Sequence, residues 1–279
     1  MDSVVLVTMN LRSLAFWTSA ASTATLVYGC LVESRRLTLE KVRIPIRDLP
    51  QSLVGFKIAL LADFHLRDKY SLDLTKRAVG LALDQSPDFV VIAGDFVGYW
   101  KPESPWLIGE ALEELLLMDG RVVAVPGNHD YWCGDAELLR PILSELNIRL
   151  LRNEVYQHSG VSWLGIDSST KGKADPFSVV QSVEGIKEPK IVVWHEPDSV
   201  DWLPRGADLM LSGHSHGGQF TFPWGWTPMH TKGGEKYVRG YYPNAPTPIY
   251  VNRGVGTTGP PSRLGCTPEV TLIELVRSE

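Results

Sequence analysis

Five times along this chain a short apolar run ends in a turn carrying Asp, His or Asn, and this repeated juxtaposition limits the fold more than any other feature. The runs are residues 58–62, 90–93, 122–125, 191–194 and 209–211. The turns read Asp63-Phe64-His65, Gly94-Asp95, Gly127-Asn128-His129-Asp130, His195-Glu196-Pro197 and Gly213-His214-Ser215-His216-Gly217-Gly218-Gln219. Short runs of Val, Ile, Leu and Ala closed by turn residues have the pattern of strands buried on both faces. Ligands of open α/β sheets sit just beyond the carboxyl ends of such strands. Five strand ends bearing these side chains therefore predict one site, with the chemistry of a metal centre.

The segments between the runs alternate to match. Partial alternation over 37–46 predicts an opening strand, closed by Asp48-Leu49-Pro50. Helical spacing follows at 72–83, 105–118 (with a Pro at its start) and 136–146, each between two strands. This βαβ alternation predicts an α/β fold with a parallel or mixed sheet. Short strands are expected at 154–158 and 161–166 around the turn Ser159-Gly160, then a short helix near 177–186. The tail from 219 is rich in Gly, Pro and aromatics, with its firmest strands at 248–252 and 270–276.

The first forty residues stand apart. Residues 14–32 carry no charge and would span about 28 Å as a helix, close to a hydrocarbon core of roughly 30 Å. Arg12 precedes this stretch, whereas Arg35, Arg36, Lys41 and Arg43 follow it. That asymmetry predicts an uncleaved anchor (residues 1–36) with the remainder, 37–279, as a catalytic domain on the cytoplasmic side. A signal peptide cleaved near residues 20–24, a lipoprotein cysteine at Cys30 and a buried core helix are the rival readings. A net charge of −5 argues against general nucleic-acid binding, which needs a basic face, and nothing in the sequence marks an obligate protein partner. Three cysteines in no Cys-x-x-Cys arrangement exclude a disulfide framework and a structural zinc of that type.

Singly the motifs are weak, since a lone loop histidine is usually just hydrogen-bonded. Together they are specific. A glycine turn in Gly-Asn-His-Asp presents adjacent amide and imidazole to one cavity, and two His at i and i+2 on an extended loop can serve two ions. In the order Asp-x-His, Gly-Asp, Gly-Asn-His-Asp, His, Gly-His-x-His, the motifs resemble those of the calcineurin-like metallophosphoesterases over residues 37–279. Residues 211–219, with Tyr237-Val238-Arg239-Gly240 and Arg253-Gly254-Val255-Gly256-Thr257-Thr258-Gly259, are similar to the membrane-anchored bacterial branch of the YkuE and YaeI kind.

The resemblance implies a sandwich of two mixed β-sheets flanked by α-helices, with an N-terminal hydrophobic helix. It implies that Asp63, His65 and His216 hold one ion, that Asn128, His195 and His214 hold the other, and that Asp95 bridges them. His129 would lie off the metals, near a phosphoryl oxygen or leaving group, with Asp130 either orienting it or filling a turn at the surface. Two ions about 3.5–4 Å apart clamp the attacking and leaving oxygens of an in-line displacement and acidify a bridging water. The mixed imidazole, carboxylate and amide set suits Mn, Fe or Zn better than Mg. Arg253 and Arg263 are candidate phosphate contacts.

The implied activity is hydrolysis of a phosphodiester or pyrophosphate bond. UDP-2,3-diacylglucosamine is one lipid-linked substrate that the resemblance suggests. The alternatives are a broad-specificity phosphatase, a membrane-tethered binding scaffold without turnover, and zinc-dependent amide hydrolysis. Gly254-Val255-Gly256-Thr257-Thr258-Gly259 matches a dinucleotide fingerprint by letter, but Pro260-Pro261 blocks the helix that fingerprint needs, so a loop at the rim of the metal site is expected. Phe220-Thr221-Phe222-Pro223-Trp224-Gly225-Trp226 reads as packing or as a lip toward lipid. His158 and His230 are taken as ordinary surface or packing residues.

Overall fold

The computed structural model describes residues 11–278. Residues 1–10 of the expected anchor segment and the side chain of Arg12 lie outside the described residues. Helix α1 (Leu11–Leu31) is followed by two six-stranded sheets and four further helices. The first sheet has the order β1 (Thr38–Ile46), β12 (Glu269–Arg277), β2 (Lys57–Leu61), β3 (Phe89–Ile92), β4 (Val122–Ala124), β5 (Arg149–Leu150). The second runs β10 (Gly240–Tyr242), β11 (Ile249–Val251), β9 (Leu209–Ser212), β8 (Lys190–Trp194), β7 (Val161–Ile166), β6 (Glu154–His158). Both are mixed: β12 meets β2 antiparallel, and so do β10 with β11 and β6 with β7, while the remaining pairs are parallel.

Burial explains why the strand runs are continuously apolar. In β3, Phe89 and Val91 face the core between the sheets, whereas Val90 and Ile92 face α2 (Lys69–Leu83), α3 (Ser104–Leu112) and α4 (Leu139–Glu145). In β8, Ile191 and Val193 enter the same central core, and Val192 and Trp194 pack on the opposite face with Val179 and Val180 of α5 (Pro176–Gln181). A strand covered on both faces cannot alternate.

The five site-bearing runs do not share one sheet. β2, β3 and β4 lie in the first and β8 and β9 in the second, so face-to-face packing of the sheets joins the halves of the site. Helices α3, α4 and α5 are shorter than their periodicity suggests. Residues 105–118 form α3 and then a 3-10 stretch, Glu113–Met118, ended by Asp119 at φ 47°. Helix α2 begins earlier than expected because Asp68 and Ser71 form a reciprocal cap.

Helix α1 does not join either core. Leu14, Phe16, Trp17, Leu26, Val27 and Leu31 are exposed, which rules out a buried core helix. By length and composition, Ser13–Arg35 is apolar enough to cross a membrane. Its end is tied to the domain: Arg263 N–H donates to Gly29 O (3.2 Å), Cys266 N–H to Glu33 Oε1 (2.9 Å), and Tyr70 O–H to Ser34 O (2.8 Å).

Candidate metal centre

The chain leaves β2, β3 and β9 in strained backbone. Asp63, His65, Asp95, His214 and His216 have φ of 55°, 47°, 57°, 71° and 49°, in the left-handed region that non-glycine residues avoid. Such strain persists only where surroundings over-determine it, and here the loops are laced together. Asp63 N–H donates to Gly94 O (2.9 Å), His65 N–H to Asp95 O (3.1 Å), and Gly256 N–H to Asp63 O (2.6 Å). Glycine permits a close approach here: a Cβ at Gly94 (φ 92°) would lie 2.7 Å from His195 Nδ1 and from Gly127 N.

Six of the expected residues, Asp63, His65, Asp95, His195, His214 and His216, converge as buried side chains. His65 Nε2 lies 2.9 Å from His216 Nε2, and His195 Nε2 lies 3.2 Å from His214 Nδ1. Asp95 Oδ2 stands between the pairs, 3.5 Å from His65 Nε2 and 3.2 Å from His195 Nε2. Its other oxygen, Oδ1, accepts the His129 N–H at 2.8 Å. Contact with both pairs thus falls to one oxygen, not one oxygen each. Asp63 Oδ1 lies 3.5 Å from His216 Nε2, and both its oxygens accept the His214 N–H (3.1 and 3.0 Å). Asn128 lines the same cleft, and its buried Oδ1 has no hydrogen-bond partner among the described residues.

This arrangement fits cations. His195 Nδ1 lies 2.6 Å from Ala93 O, and His214 Nε2 lies 2.9 Å from Lys232 O. A carbonyl only accepts, so each ring spends its N–H there and turns the lone pair of its other nitrogen into the cleft. Two lone pairs facing at 3.2 Å beside a carboxylate repel unless a positive charge sits among them. Without a cation the same centre draws in a proton. Burial would raise the Asp95 carboxyl, but His195 and His65 outweigh it and hold it well below the usual range. Burial opposes charge on His195, yet Asp95 pushes that ring well above its ordinary value. Burial keeps His65, His214 and His216 below theirs, as neutral donors, against the pull of Asp95.

His129 sits at the mouth, its ring edge-on to His65 (centroids 4.6 Å) and close over Trp132 (3.8 Å). Its Nδ1 is held by Gly98 O at 2.7 Å, which leaves Nε2 without that tether. Asp130 neither orients it nor occupies the surface. It is fully buried, and its carboxylate accepts the N–H groups of Gly127 (2.8 Å), Asp95 (3.0 Å) and Val97 (3.2 Å), clamping two metal-site loops together.

The two arginines have other work than phosphate binding. Arg263 is fully buried, and its guanidinium donates to Gly254 O (2.9 Å), Gly256 O and Cys266 O behind His216. Arg253 pairs with Glu40 (2.6 Å) and Glu269. A guanidinium in the sequence does not reveal whether carbonyls already saturate it. The glycine-rich 254–259 loop packs directly on Asp63 and, through Thr258, reaches the cleft, as expected of a rim loop.

The cleft, ≈ 270 Å³, is also lined by residues that sequence reasoning missed: Trp132, Thr170, Lys171, Thr231 and Lys232. Glu196 was missed too. It is buried beside His195, and its carboxylate turns away to accept from Ser168 Oγ (2.5 Å), Ser169 N (3.1 Å) and Thr170 N (3.2 Å). Only its position next to His195 could have flagged it.

Comparison with known proteins bears on this cleft. Residues 56–218 match the family described as calcineurin-like phosphoesterase. The chain is 30% identical over 244 residues to "Phosphodiesterase YaeI" of Escherichia coli, covering 85% of this chain and 88% of that protein. It is 27% identical over 236 residues to the metallophosphoesterase YkuE of Bacillus subtilis, covering 81% of each. A zebrafish (Danio rerio) "Transmembrane protein with metallophosphoesterase domain" is 30% identical over 267 residues, 89% of this chain and 60% of that protein. The family uses divalent metals, and the Asp/His clusters of this cleft can hold them. The chain therefore belongs to the calcineurin-like phosphoesterases, in the branch of YaeI and YkuE, as a hydrolase acting on phosphoesters.

Proposed function

We propose that this chain is a dinuclear phosphoesterase that cleaves a phosphodiester or pyrophosphate bond, tethered to a membrane by α1, with its catalytic domain on the cytoplasmic side. Asp63, His65 and His216 would hold one ion and Asn128, His195 and His214 the other, with Asp95 available to both. The observation that carries this is the pair of facing ring nitrogens, His65/His216 at 2.9 Å and His195/His214 at 3.2 Å, with a single carboxylate oxygen between them. When bound, the cations would supply Lewis acidity at phosphorus and acidify water for in-line attack.

The side chains divide the remaining work. Ala93 O and Lys232 O fix the tautomers of His195 and His214, so that no ring reorients during the reaction. With its proton on Nδ1 given to Gly98 O, His129 holds Nε2 ready to take up a proton and return it to the leaving oxygen. Lys171 and Lys232 line the cleft and supply positive charge for the non-bridging phosphoryl oxygens. Glu196 positions Lys171 by holding residues 168–170.

A "Phosphodiesterase" among the relatives favours a diester over a simple monoester. The anchor and the transmembrane relative favour a lipid-linked substrate, of which UDP-2,3-diacylglucosamine is a candidate. The decisive experiment is metal analysis of the purified protein, coupled to assays on aryl diesters, aryl monoesters and UDP-diacylglucosamine. Two bound ions with diester or pyrophosphate turnover are expected. Turnover confined to monoesters would replace this reading with that of a broad phosphatase.

A further inference from the structure

We propose that the loop 220–229 docks on the surface of the bilayer that α1 crosses, with Phe222, Trp224, Trp226 and Met229 as its lipid contacts. The proposal rests on the anchor role given to α1 above. All four large apolar side chains are exposed, Trp224 at 73% and Met229 at 61%. Phe222 stacks on both indoles, with centroids 5.0 Å from Trp224 and 5.3 Å from Trp226. The rings thus form one apolar plate, and contiguous exposed apolar surface marks an interaction site.

The position of the plate selects a bilayer as the partner. Phe220 is bridged to Leu264, and Thr221 N–H donates to Leu264 O at 2.7 Å. One residue earlier, Arg263 N–H donates to Gly29 O at 3.2 Å, and a Cβ on Gly29 would lie 2.9 Å from Arg263 O. Gly29 belongs to the last turn of α1, whose uncharged stretch ends at Val32, immediately before Glu33. Three helical residues rise about 4.5 Å. The 262–265 loop and the aromatic plate strung from it are therefore held where an apolar span leaves hydrocarbon for headgroups. That boundary is where Trp is enriched, because its ring is apolar and its N–H stays wet.

The same segment ties back to the metal centre. Thr227 Oγ1 donates to Gly218 O at 3.1 Å, two residues beyond His216. Docking the plate would hold the cleft at the membrane surface, within reach of a phosphoester carried by a lipid headgroup.

The test uses the full chain reconstituted into phosphatidylcholine vesicles, with and without bromine on the acyl chains near the headgroup. Bromine quenches indole fluorescence on contact. The native protein has nine tryptophans, and the Trp224→Ser/Trp226→Ser variant keeps Trp17 in α1, so the variant reports the anchor alone. Partial quenching of the variant is expected, with an additional loss in the native protein of up to about two-ninths of its emission, the share of two indoles in nine. Equal quenched intensity in both proteins, with matching circular dichroism, would overturn the docking and leave the anchor standing. An unquenched variant would overturn the anchor, and the docking with it. Neither readout depends on turnover, so failure of the catalytic assignment would be seen separately.

Discussion

Around His195 and His214, backbone carbonyls decide which ring nitrogen faces the cleft, whereas around His65 and His216 none does. Ala93 O and Lys232 O take up the outward N–H groups of the first pair. In the second, His65 Nδ1 is buried without a hydrogen-bond partner among the described residues, and His216 Nδ1 faces the Arg263 guanidinium at 3.4 Å. A preorganised donor pair loses little on binding an ion, while a pair backed by a buried cation must overcome like charge. The half-cleft of Asn128, His195 and His214 should bind its ion more tightly, and that of Asp63, His65 and His216 should be the exchangeable one. Two histidine pairs of the same type should thus differ in affinity through what stands behind them.

The largest effect should come from removing what the halves share. Asp95→Asn takes the charge from both, and kcat/KM on an aryl diester should fall on the order of 10³-fold. Bound metal, measured by mass spectrometry, should fall in the same preparation. Full retention of either quantity would mean that Oδ2 is not the common ligand. Next, His214→Ala and His65→Ala should separate the halves. Each should lose about 10²-fold or more in activity, but added metal should restore more of it in His65→Ala, since the tight half survives there. Equal rescue of the two variants would erase the proposed difference.

Arg263→Met sharpens the same contrast from the other side. Without the guanidinium behind His216, the weaker half should bind its ion on the order of tenfold more tightly in a competition titration. The cost is stability, at about 1–3 kcal/mol for each buried carbonyl left without a donor, read as a lower Tm.

The smallest effect is in pH. Burial, reinforced by Asp95 and opposed by His195, raises the Asp63 carboxyl from 3.8 to about 7. A carboxyl raised on folding stabilises the folded state fully below its unfolded value. That contribution is lost as pH rises through the folded value. Chelator-treated protein should therefore lose thermal stability between about pH 4 and pH 7, whereas metal-loaded protein should lose less, because a cation replaces the proton. Parallel melting curves for the two forms across that range would contradict this assignment.

Much of this site could be seen in the sequence. Side chains that follow parallel buried strands of one sheet by a few residues are forced to the same end of it, which is why Asp63, Asp95 and Asn128 could be grouped before any fold was known, whereas His195 follows a strand of the other sheet. The helix limits were less legible, because the 3-10 stretch Glu113–Met118 keeps the apolar spacing of the helix it continues. Asp130, Arg263 and Glu196 were misjudged or missed for one common reason. All three work by hydrogen bonds to loop backbone: Asp130 to Asp95, Gly127 and Val97, Arg263 to Gly254 and Gly256, and Glu196 to Ser169 and Thr170. Backbone groups are the same in every residue and leave no mark in composition.

The sequence by itself determined the class of chemistry and which side chains are candidate donors, because residue type fixes what a side chain can ligate and strand periodicity fixes which end of the sheet it reaches. Tertiary structure alone decided how those donors are shared. Packing one sheet against the other set His195 and His214 across from Asp63 and Asp95. It also gave one histidine pair carbonyls and the other a buried arginine, and placed the Trp224 loop beside the end of α1. These are contacts between segments up to 234 residues apart (Gly29 to Arg263), and contacts of that range depend on how the whole chain closes rather than on any local pattern.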